Sequence, residues 1–420
     1  MIQRVPLFTS KRDSLLFLLA SLFILLVSLF IEYKNYQEFI VFDSALVDAT
    51  VLKQYTKSKN NRTYQVLKLK NEDGVVFYTT AKKSLQDLKN QELQMEIWPK
   101  DLNFYKYLTT FFATSKIIDI KSTKSKKQKL GVFISSSHKK EEVANIYQAL
   151  YTATPLDYRL QKIFSNLGVS HLLAISGFHL GVLSALLFLL LRPIYGYTQN
   201  KFFPYTNANR DLFFLVAAML FIYVLFLDSP PSLIRAFGML IIGFVLYDRG
   251  IKIVSMQTLF ITILLLLSIF PRLLFSLGFW LSSSGVFYIF LFLIYFKNMS
   301  KIWQFLLLPL WVYLLMLPFS LAIFENFSIY HPLSIVWTSL FTLFYPISIF
   351  LHLLGVGNLF DPALLWLLEL AKEGVLVGLN FYIFLFYITL SIMSVFSKVL
   401  MWLLVFLSCT IFIYAVYHVA

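Results

Sequence analysis

Runs of about 20 apolar residues recur along the chain and constrain its fold more than any other feature. They lie near 14–31, 168–191, 211–227, 232–249, 254–270, 274–296, 303–323, 332–354, 375–394 and 399–418. A helix of that length matches the hydrocarbon core of a bilayer, which is about 30 Å thick. Hydrophobic residues form 58% of the 420 residues, too large a share for a water-soluble protein to bury. The sequence therefore predicts an α-helical polytopic membrane protein with about ten transmembrane helices.

Lysine and arginine orient these spans. A basic stretch precedes the first run and no small-residue cleavage site follows it, so residues 1–43 are predicted to form a retained first span. With the N-terminus in the cytoplasm, most lysines and arginines of the short loops fall on the cytoplasmic side, as the positive-inside rule requires, and long translocated domains largely escape that rule. The polar segment 44–167 is then extracytoplasmic. Residues 361–374 are predicted to form a cytoplasmic amphipathic helix.

Most of the positive charge is concentrated in the segment 44–167. It holds 21 basic and 11 acidic residues, a net charge of +10 in a chain whose net charge is +14. A basic domain on a membrane protein indicates a polyanionic partner, either a nucleic acid or anionic lipid headgroups. The single cysteine, Cys409, excludes an intramolecular disulfide and gives no information on the redox compartment.

Short β-rich runs begin the same segment, near 46–55, 62–71, 75–81 and 93–99, with a further candidate at 116–120. With a candidate helix around 84–88, they predict a small Greek-key barrel such as an OB-fold over 44–121. Residues 101–113 have the helical spacing of an interfacial helix. A flexible basic linker, either solvated or phosphate-binding, and one or two amphipathic helices are predicted over 122–167.

Alternation along the second run places Tyr64, Lys68 and Lys70 on one strand face and Leu67 and Leu69 on the other. OB-folds bind single-stranded nucleic acid with such a face, by stacking bases on aromatic rings and neutralising phosphates. An ordinary solvated strand face explains the same pattern. The nucleic-acid hypothesis gives the candidate set Lys53, Tyr55, Lys57, Lys59, Arg62, Tyr64, Lys68, Lys70 and Tyr78.

The string SHLLAISGFHLG at 170–181 places polar residues inside an apolar run. Polar side chains are costly in hydrocarbon, so His171, Ser176 and His179 are predicted either to line an inner polar path or to form interhelical hydrogen bonds. Gly177 and Gly181 are spaced for close helix packing.

Two further strings carry polar groups into the membrane. In DSPPSLIRA at 228–236, Arg235 either pairs with Asp228, turns toward the membrane interface, or meets an anionic ligand such as a phosphate. In LGFWLSSSG at 277–285, Ser282 and Ser283 mark a polar face. All three strings give candidate residues for a transport path.

Motifs for enzymatic chemistry are absent from the sequence. It contains no G-x-x-x-x-G-K-[ST] and no H-E-x-x-H string, so no nucleotide, metal or other cofactor is predicted. On one helix His171 and His179 would be about 12 Å apart in rise, too far to bind one metal ion. Ser176 beside the two histidines leaves an intramembrane hydrolase as an alternative.

These strings, in this order, resemble the ComEC family of competence proteins, the inner-membrane DNA channels of natural transformation. The resemblance rests on HLLAISGFH at 171–179, SPPSLIRA at 229–236, LGFWLSSSGV at 277–286 and LNFYKYL at 102–108, and it covers nearly the whole chain. Two positions depart from the family pattern. Trp280 stands where the family usually has glutamine, and a glycine usual before the opening helix is missing around Tyr151.

The resemblance implies that the OB-like domain meets incoming DNA outside the bacterial inner membrane and that residues 168–420 pass one strand to the cytoplasm. Implied partners are single-stranded DNA, an extracytoplasmic DNA receptor, a cytoplasmic motor ATPase and single-strand-binding proteins. Larger family members add a metallo-β-lactamase-like nuclease, whose H-x-H-x-D-H string is absent here, so we expect a channel without nuclease activity. A transporter for another anionic polymer or lipid-linked sugar remains an alternative.

Overall fold

Apolar helices dominate the structure, a computed structural model that describes residues 10–42, 44–59, 62–89, 91–121, 126–173, 175–202, 205–370 and 374–419. Within these ranges seven helices are long and apolar enough to cross a membrane: α1 (Lys11–Ile40), α7 (Gly177–Phe202), α8 (Ala208–Phe226), α11 (Leu277–Tyr295), α12 (Lys301–Phe324), α13 (Ser334–Leu353) and α16 (Lys398–Tyr417). Three other apolar runs form α9 (Pro231–Asp248), α10 (Met256–Ile269) and α15 (Phe381–Met393). The helical membrane protein is confirmed, whereas the count of ten spans stays a prediction.

The polar segment after α1 begins with a closed five-stranded barrel. Its strands are β1 (Ala45–Lys59), β2 (Arg62–Asn71), β3 (Val76–Lys82), β4 (Glu92–Pro99) and β5 (Phe111–Ile120), arranged in the order β1-β2-β3-β5-β4 with β4 closing on β1. The pairs are antiparallel except β3 with β5. Alternate residues such as Val51, Leu67 and Phe77 are wholly buried inside, which is the strand period that the sequence predicts.

Two helices predicted near this barrel are wrong. Residues 84–88 form a turn and irregular chain. The interfacial helix predicted over 101–113 is limited to α2 (Phe104–Leu108), because the chain from Phe111 onward belongs to β5. Phe111 is buried opposite Phe77 and Phe112 is exposed, so these aromatic residues follow the two-residue period of a strand.

The barrel is anchored to the helices around it. Tyr36 in α1 donates a hydrogen bond from its hydroxyl to the Leu102 carbonyl at 3.0 Å. Glu32, also in α1, forms a two-point ion pair with Arg272 at 2.8 and 2.7 Å. The Arg272 guanidinium lies 5.0 Å from the ring centre of Tyr107, beside the barrel. Bidentate pairs of this kind are the most directional ion pairs in proteins, so we call this cluster the barrel anchor.

Three helices connect the barrel to the membrane domain: α3 (Lys126–Ser136), α4 (Glu141–Thr152) and α5 (Tyr158–Asn166). Residues 122–125 of the predicted linker lie outside the described residues, and the linker's end is helical. The short α6 (Ser170–Leu173) follows and is separate from α7. The predicted continuous span over 168–191 is therefore wrong: Ile175 and Ser176 are not helical, and α7 begins at Gly177.

The chain after α12 turns back on itself. It forms a two-stranded pair of β6 (Asn326–Phe327) and β7 (Val375–Leu376), between which lie α13 and α14 (Asp361–Leu370). Asp361 contacts His138, at 2.9 Å, in the link between α3 and α4. Because that link belongs to the segment that carries the barrel, the prediction that 361–374 lies across the membrane from it is wrong. Residues 371–373 lie outside the described residues.

Candidate nucleic-acid interface

Strands β1, β2 and β3 present lysines and tyrosines on one outer face. The register sets Lys53 opposite Lys68, and Lys68 opposite Tyr78, in one row across three strands. The Lys68 ammonium lies 5.6 Å from the centre of the Tyr78 ring, and that of Lys53 lies 5.8 Å from the Tyr55 ring. These distances allow cation–π attraction. We call this surface the basic face, with members Lys53, Tyr55, Lys57, Tyr64, Lys68, Lys70 and Tyr78.

The ring faces and charges of the basic face differ in their accessibility. Tyr55 is 39% exposed and Lys57, opposite Tyr64 in the register, is exposed as well. Lys59 and Arg62 are paired at the end of the same hairpin, and their side chains lie outside the described part of the structure. The basic face therefore combines an accessible aromatic ring with accessible charge, as base stacking and phosphate contact require.

Burial, and after it the charges of neighbouring basic residues, weakens proton binding on the basic face. Burial, and then the charges of Lys68 and Lys89, lower the pKa of Lys53 below that of a free lysine. Burial also lowers the pKa of Lys70, although the charge of Asp228 opposes that shift. An anion placed on this face would oppose the lowering and raise the pKa of both lysines again.

The basic face is docked on the loop between α8 and α9. The Lys70 ammonium donates to the Asp228 carbonyl at 3.0 Å, and the Lys127 ammonium in α3 pairs with the Asp228 carboxylate at 2.8 Å. Lys53 donates to the Gln161 side chain of α5 at 3.3 Å. Asp228 has a positive φ of 61°. Its carboxylate and carbonyl thus occupy two lysines that could instead bind a phosphate.

Arg235 lies one turn inside α9 and is buried, with 1% of its surface exposed. It donates to the carbonyls of Gly278 at 2.6 Å, and of Phe279 and Ser232 at 3.4 Å. Its Nε has no hydrogen-bond partner among the described residues. The predicted pair with Asp228 is wrong, because Asp228 is bound by Lys127 and Arg235 by the first turn of α11.

The three polar strings of the membrane domain meet around Arg235. The Ser232 hydroxyl donates to the Ile175 carbonyl at 2.7 Å, which joins the second string to the first. A side chain at Gly177 would meet the Ala236 methyl at 3.2 Å, so α7 and α9 approach closely there. The bond from Arg235 to Gly278 joins the second string to the third. Residues that are far apart in sequence thus form one site at the start of α7, α9 and α11.

His179 is buried close to this site. Its Nδ1 accepts from the Ser176 amide at 3.2 Å and lies 3.3 Å from the Ser176 hydroxyl. Its Nε2 finds no hydrogen-bond partner within the described ranges, and its ring packs on Phe341 and Tyr345. The Ser176 hydroxyl also accepts from the Phe178 amide, as a helix cap does. A buried nitrogen without a partner marks a place where a polar guest could bind.

The other candidate residues of these strings are placed differently from their predictions. His171 is exposed on α6, with its Nε2 at 3.4 Å from the Thr338 hydroxyl, so it does not share a helix with His179. At Gly181 a side chain would meet no described atom within 4 Å, so close packing is the wrong role for this glycine. In α11 Ser282 is half-buried, and the buried Ser283 hydroxyl has no partner that the structure describes.

A cavity of about 360 Å³ opens beside these strings between α7, α9, α10 and α11. Gly177 and Gly181 contribute one wall, and the walls are mostly apolar apart from Thr258 and Thr262. The lack of a side chain at Gly181 therefore leaves open space rather than a helix contact.

Trp280, which replaces the family's usual glutamine, is 41% exposed and donates to the Leu274 carbonyl at 2.8 Å.

Acidic side chains on the barrel are the one group within the described ranges that is close enough to hold a metal ion: Asp48, Glu72 and Glu92. Lys121 already bonds Asp48 at 3.0 Å and Glu92 at 2.7 Å, and these hydrogen bonds raise the lysine's pKa. A lysine in this place supplies the positive charge that a cation would bring.

Sequence reasoning missed several residues of the interface. Lys127 lies in the predicted linker, where nothing singles it out from its neighbouring lysines. Asn166 and Asn326 form a buried hydrogen bond of 2.6 Å beside Gly374, although 160 residues separate them. A buried asparagine at the end of an amphipathic helix is the only signal that could have indicated this contact.

Comparisons with known proteins match the membrane domain. A family model described as "Competence protein" matches residues 154–419, which include all three polar strings. An uncharacterized protein of Aquifex aeolicus (strain VF5) is 29% identical over 234 residues, which are 54% of this chain and 50% of that protein. The match thus spans about half the length of this relative. No solved structure matches the chain.

Proposed function

The chain belongs to the ComEC family of competence proteins, and from this membership we propose that it conducts single-stranded DNA across the bacterial inner membrane during natural transformation. The observation that carries the proposal is the docking of the basic face, through Lys70, on the loop that leads to Arg235. A polyanion bound to this face is held at the mouth of the region where the three polar strings meet.

The barrel supplies the capture step. Its strand order and size agree with an OB-type barrel, whose second and third strands and loops commonly bind oligonucleotides. Bases would stack on Tyr55, Tyr64 and Tyr78, and phosphates would pair with Lys53, Lys57 and Lys68. Both kinds of contact are independent of base sequence, which suits a transporter of DNA of any sequence.

Arg235, His179 and the cavity beside them supply the route inward. Arg235 holds a positive charge among backbone carbonyls, where a passing phosphate could replace the weaker contacts at 3.4 Å. The unpartnered Nε2 of His179 could donate to the same guest. In this proposal the barrel is extracytoplasmic and the N-terminus cytoplasmic.

The proposed partners follow from the transport step. An extracytoplasmic receptor would deliver the DNA, and a cytoplasmic motor ATPase and single-strand-binding proteins would draw it in. The chain has no P-loop string of its own, so the proposal assigns the pulling force to the motor.

An anionic polymer other than DNA, or a lipid-linked sugar, is the second candidate substrate, because an apolar cavity lies next to the cationic site. An intramembrane hydrolase is less well supported. Ser176 and His179 are in contact, but among the described residues no carboxylate bonds the other nitrogen of His179 to orient it.

Binding of fluorescent single-stranded DNA to the full chain in lipid nanodiscs tests the capture step. Each phosphate contact contributes about 0.7 to the slope of log affinity against log salt for a single strand. Replacing Lys53 and Lys68 by glutamine should therefore lower the slope by about 1.4. Lys116→Gln, an exposed lysine on β5, is the matched control and should leave the slope unchanged.

Transport is tested by following labelled DNA in a deletion strain. The proposal expects DNA to remain outside the inner membrane, and the full chain to restore its passage. DNA that reaches the cytoplasm normally without the protein would refute the channel. Ser176→Ala distinguishes the hydrolase, since full DNA passage in that variant excludes essential serine chemistry.

A further inference from the structure

Two histidines that are far apart in the sequence meet inside the protein. His138 lies in the link between α3 and α4, and His352 lies in the last turn of α13. Their Nε2 atoms are 3.0 Å apart. The His138 side chain is fully covered and His352 is 5% exposed. Because 214 residues separate the two, the contact joins distant parts of the chain.

The nearest partner of the other ring nitrogen of each histidine can only accept a hydrogen bond, and the Tyr151 hydroxyl, 3.4 Å from His352 Nδ1, gives its proton to the Ser348 hydroxyl. His138 Nδ1 lies 2.9 and 3.2 Å from the two carboxylate oxygens of Asp361, and His352 Nδ1 lies 2.7 Å from the Ser348 carbonyl. A carbonyl has no proton to give, and an ionised carboxylate has none either. Each Nδ1 must therefore carry a proton.

This arrangement fixes the number of protons on the pair. If both rings were neutral with a proton on Nδ1, two lone pairs would face each other across 3.0 Å. A hydrogen bond at that distance requires one more proton between the Nε2 atoms. We propose that His138 and His352 share this third proton and so form a pH-dependent latch between the α3–α4 link and the α13–α14 hairpin. Asp361 balances the single positive charge of the latch.

The titratable groups around the latch agree with a single positive charge on the histidine pair. Tyr147 stacks on His138 with ring centres 4.4 Å apart, and the Tyr151 hydroxyl donates to the Ser348 hydroxyl at 2.7 Å. Burial raises the pKa of both tyrosines, so both stay neutral in the range where histidine titrates. Lys139 and Lys140 are exposed and point their charges to solvent. Asp361 is thus the charge that faces the pair.

A metal ion is the other cation that could lie between two Nε2 atoms. Histidine ligands of metals also have the outer nitrogen bonded to a carboxylate or carbonyl. Structural zinc sites, however, almost always use four ligands, and in the described part of the chain no third histidine, cysteine, aspartate or glutamate completes a site here. The observed contact of 3.0 Å is that of a hydrogen bond.

The latch closes in acid and opens as the pH rises, because the contact needs the third proton and loses it in alkaline solution. Opening frees the tip of the α13–α14 hairpin from the segment that carries the basic face. This behaviour follows from the histidine contact alone and does not depend on what the protein transports.

Distance measurement between two spin labels tests the latch on the full chain in nanodiscs. Labels at Lys139→Cys and Asn358→Cys, both exposed positions, lie on either side of the contact in a Cys409→Ala background. We expect one narrow distance distribution at low pH and a longer, broader one at high pH. An identical distribution at both pH values would refute the latch.

Variants separate a shared proton from simple packing. In His352→Gln the distance should no longer change with pH, whereas His418→Gln, far along α16, should keep the full response. Asp361→Asn removes the balancing charge but not the hydrogen-bond acceptor, so the pH at which half of the latch is open should fall. If Asp361 has only a structural role, that pH should not change. Stoichiometric metal in the purified protein that His138→Gln removes would overturn the shared proton.

Discussion

Replacing Arg235 by methionine tests whether the buried guanidinium serves transport or only the fold. Two opposing terms set the change in stability. A hydrogen bond from a charged donor contributes about 1.5–3 kcal/mol, and only the 2.6 Å bond to Gly278 has the geometry for that range. Removing an arginine recovers at most about 2.5–3.5 kcal/mol, the insertion-scale value at a helix centre, because Arg235 lies in the second turn of α9. The terms nearly cancel, so we expect the free energy of unfolding to change by about 1 kcal/mol or less.

Transport should respond much more strongly than stability. A lost phosphate contact of about 1.5–3 kcal/mol corresponds to a tenfold or larger loss of DNA passage. Thermal unfolding in nanodiscs should shift by about 1 °C per kcal/mol for a chain of 420 residues, and uptake of labelled DNA is measured in the same strain background. Arg249→Met, exposed at the other end of α9, is the matched control. A collapse in stability with Arg235→Met, or normal DNA passage, would refute the reasoning.

The remaining predictions concern Asp228, two glycines and the pH dependence of Lys70. Asp228→Asn removes the carboxylate that pairs with Lys127 and leaves the carbonyl that binds Lys70, so DNA affinity at low salt should rise severalfold in equilibrium titrations; an unchanged affinity contradicts the competition. Gly181→Ala should stabilise α7 by about 0.4–1 kcal/mol, since the new methyl enters open space, whereas Gly374→Ala should lower the unfolding temperature because its methyl would overlap the Asn166 side chain. Because the pKa of Lys70 is lowered, this lysine loses its proton at a lower pH than a free lysine, whose pKa is about 10.4. DNA affinity should therefore begin to fall before the pH reaches that value, and a flat affinity up to about pH 10 contradicts this role.

Local periodicity made the barrel and the long helices predictable. In the second half of strand β2, buried Leu67, Leu69 and Asn71 alternate with half-buried Lys68 and Lys70, so each property repeats every second residue. The long apolar helices are equally local, because their length follows from the thickness of the bilayer. The candidate tyrosines and lysines of the basic face share one surface because side chains alternate between the two faces of a strand.

Contacts between distant segments were not predictable in this way. The break at Ile175 and Ser176 lies in an apolar run, so hydropathy alone reads straight through it. The bond from Arg235 to Gly278 joins residues 43 positions apart and depends on how α9 packs against α11. A buried arginine indicates that it has some partner. Asp228, seven residues earlier, is not that partner, because its carboxylate is paired with Lys127 of α3.

The barrel anchor determines how long a DNA strand must be to contact both the basic face and Arg235. The Glu32–Arg272 pair ties α1 to the turn after α10, Arg272 also contacts Tyr107 beside the barrel, and Lys70 binds the loop before α9. The distance from the basic face to Arg235 is therefore set by folded contacts. A strand that reaches both places gains the second contact at a high effective concentration, and a shorter strand gains none of it. If the protein binds DNA as proposed, affinity should rise sharply at one oligonucleotide length, and removing the Glu32–Arg272 ion pair should make that rise more gradual.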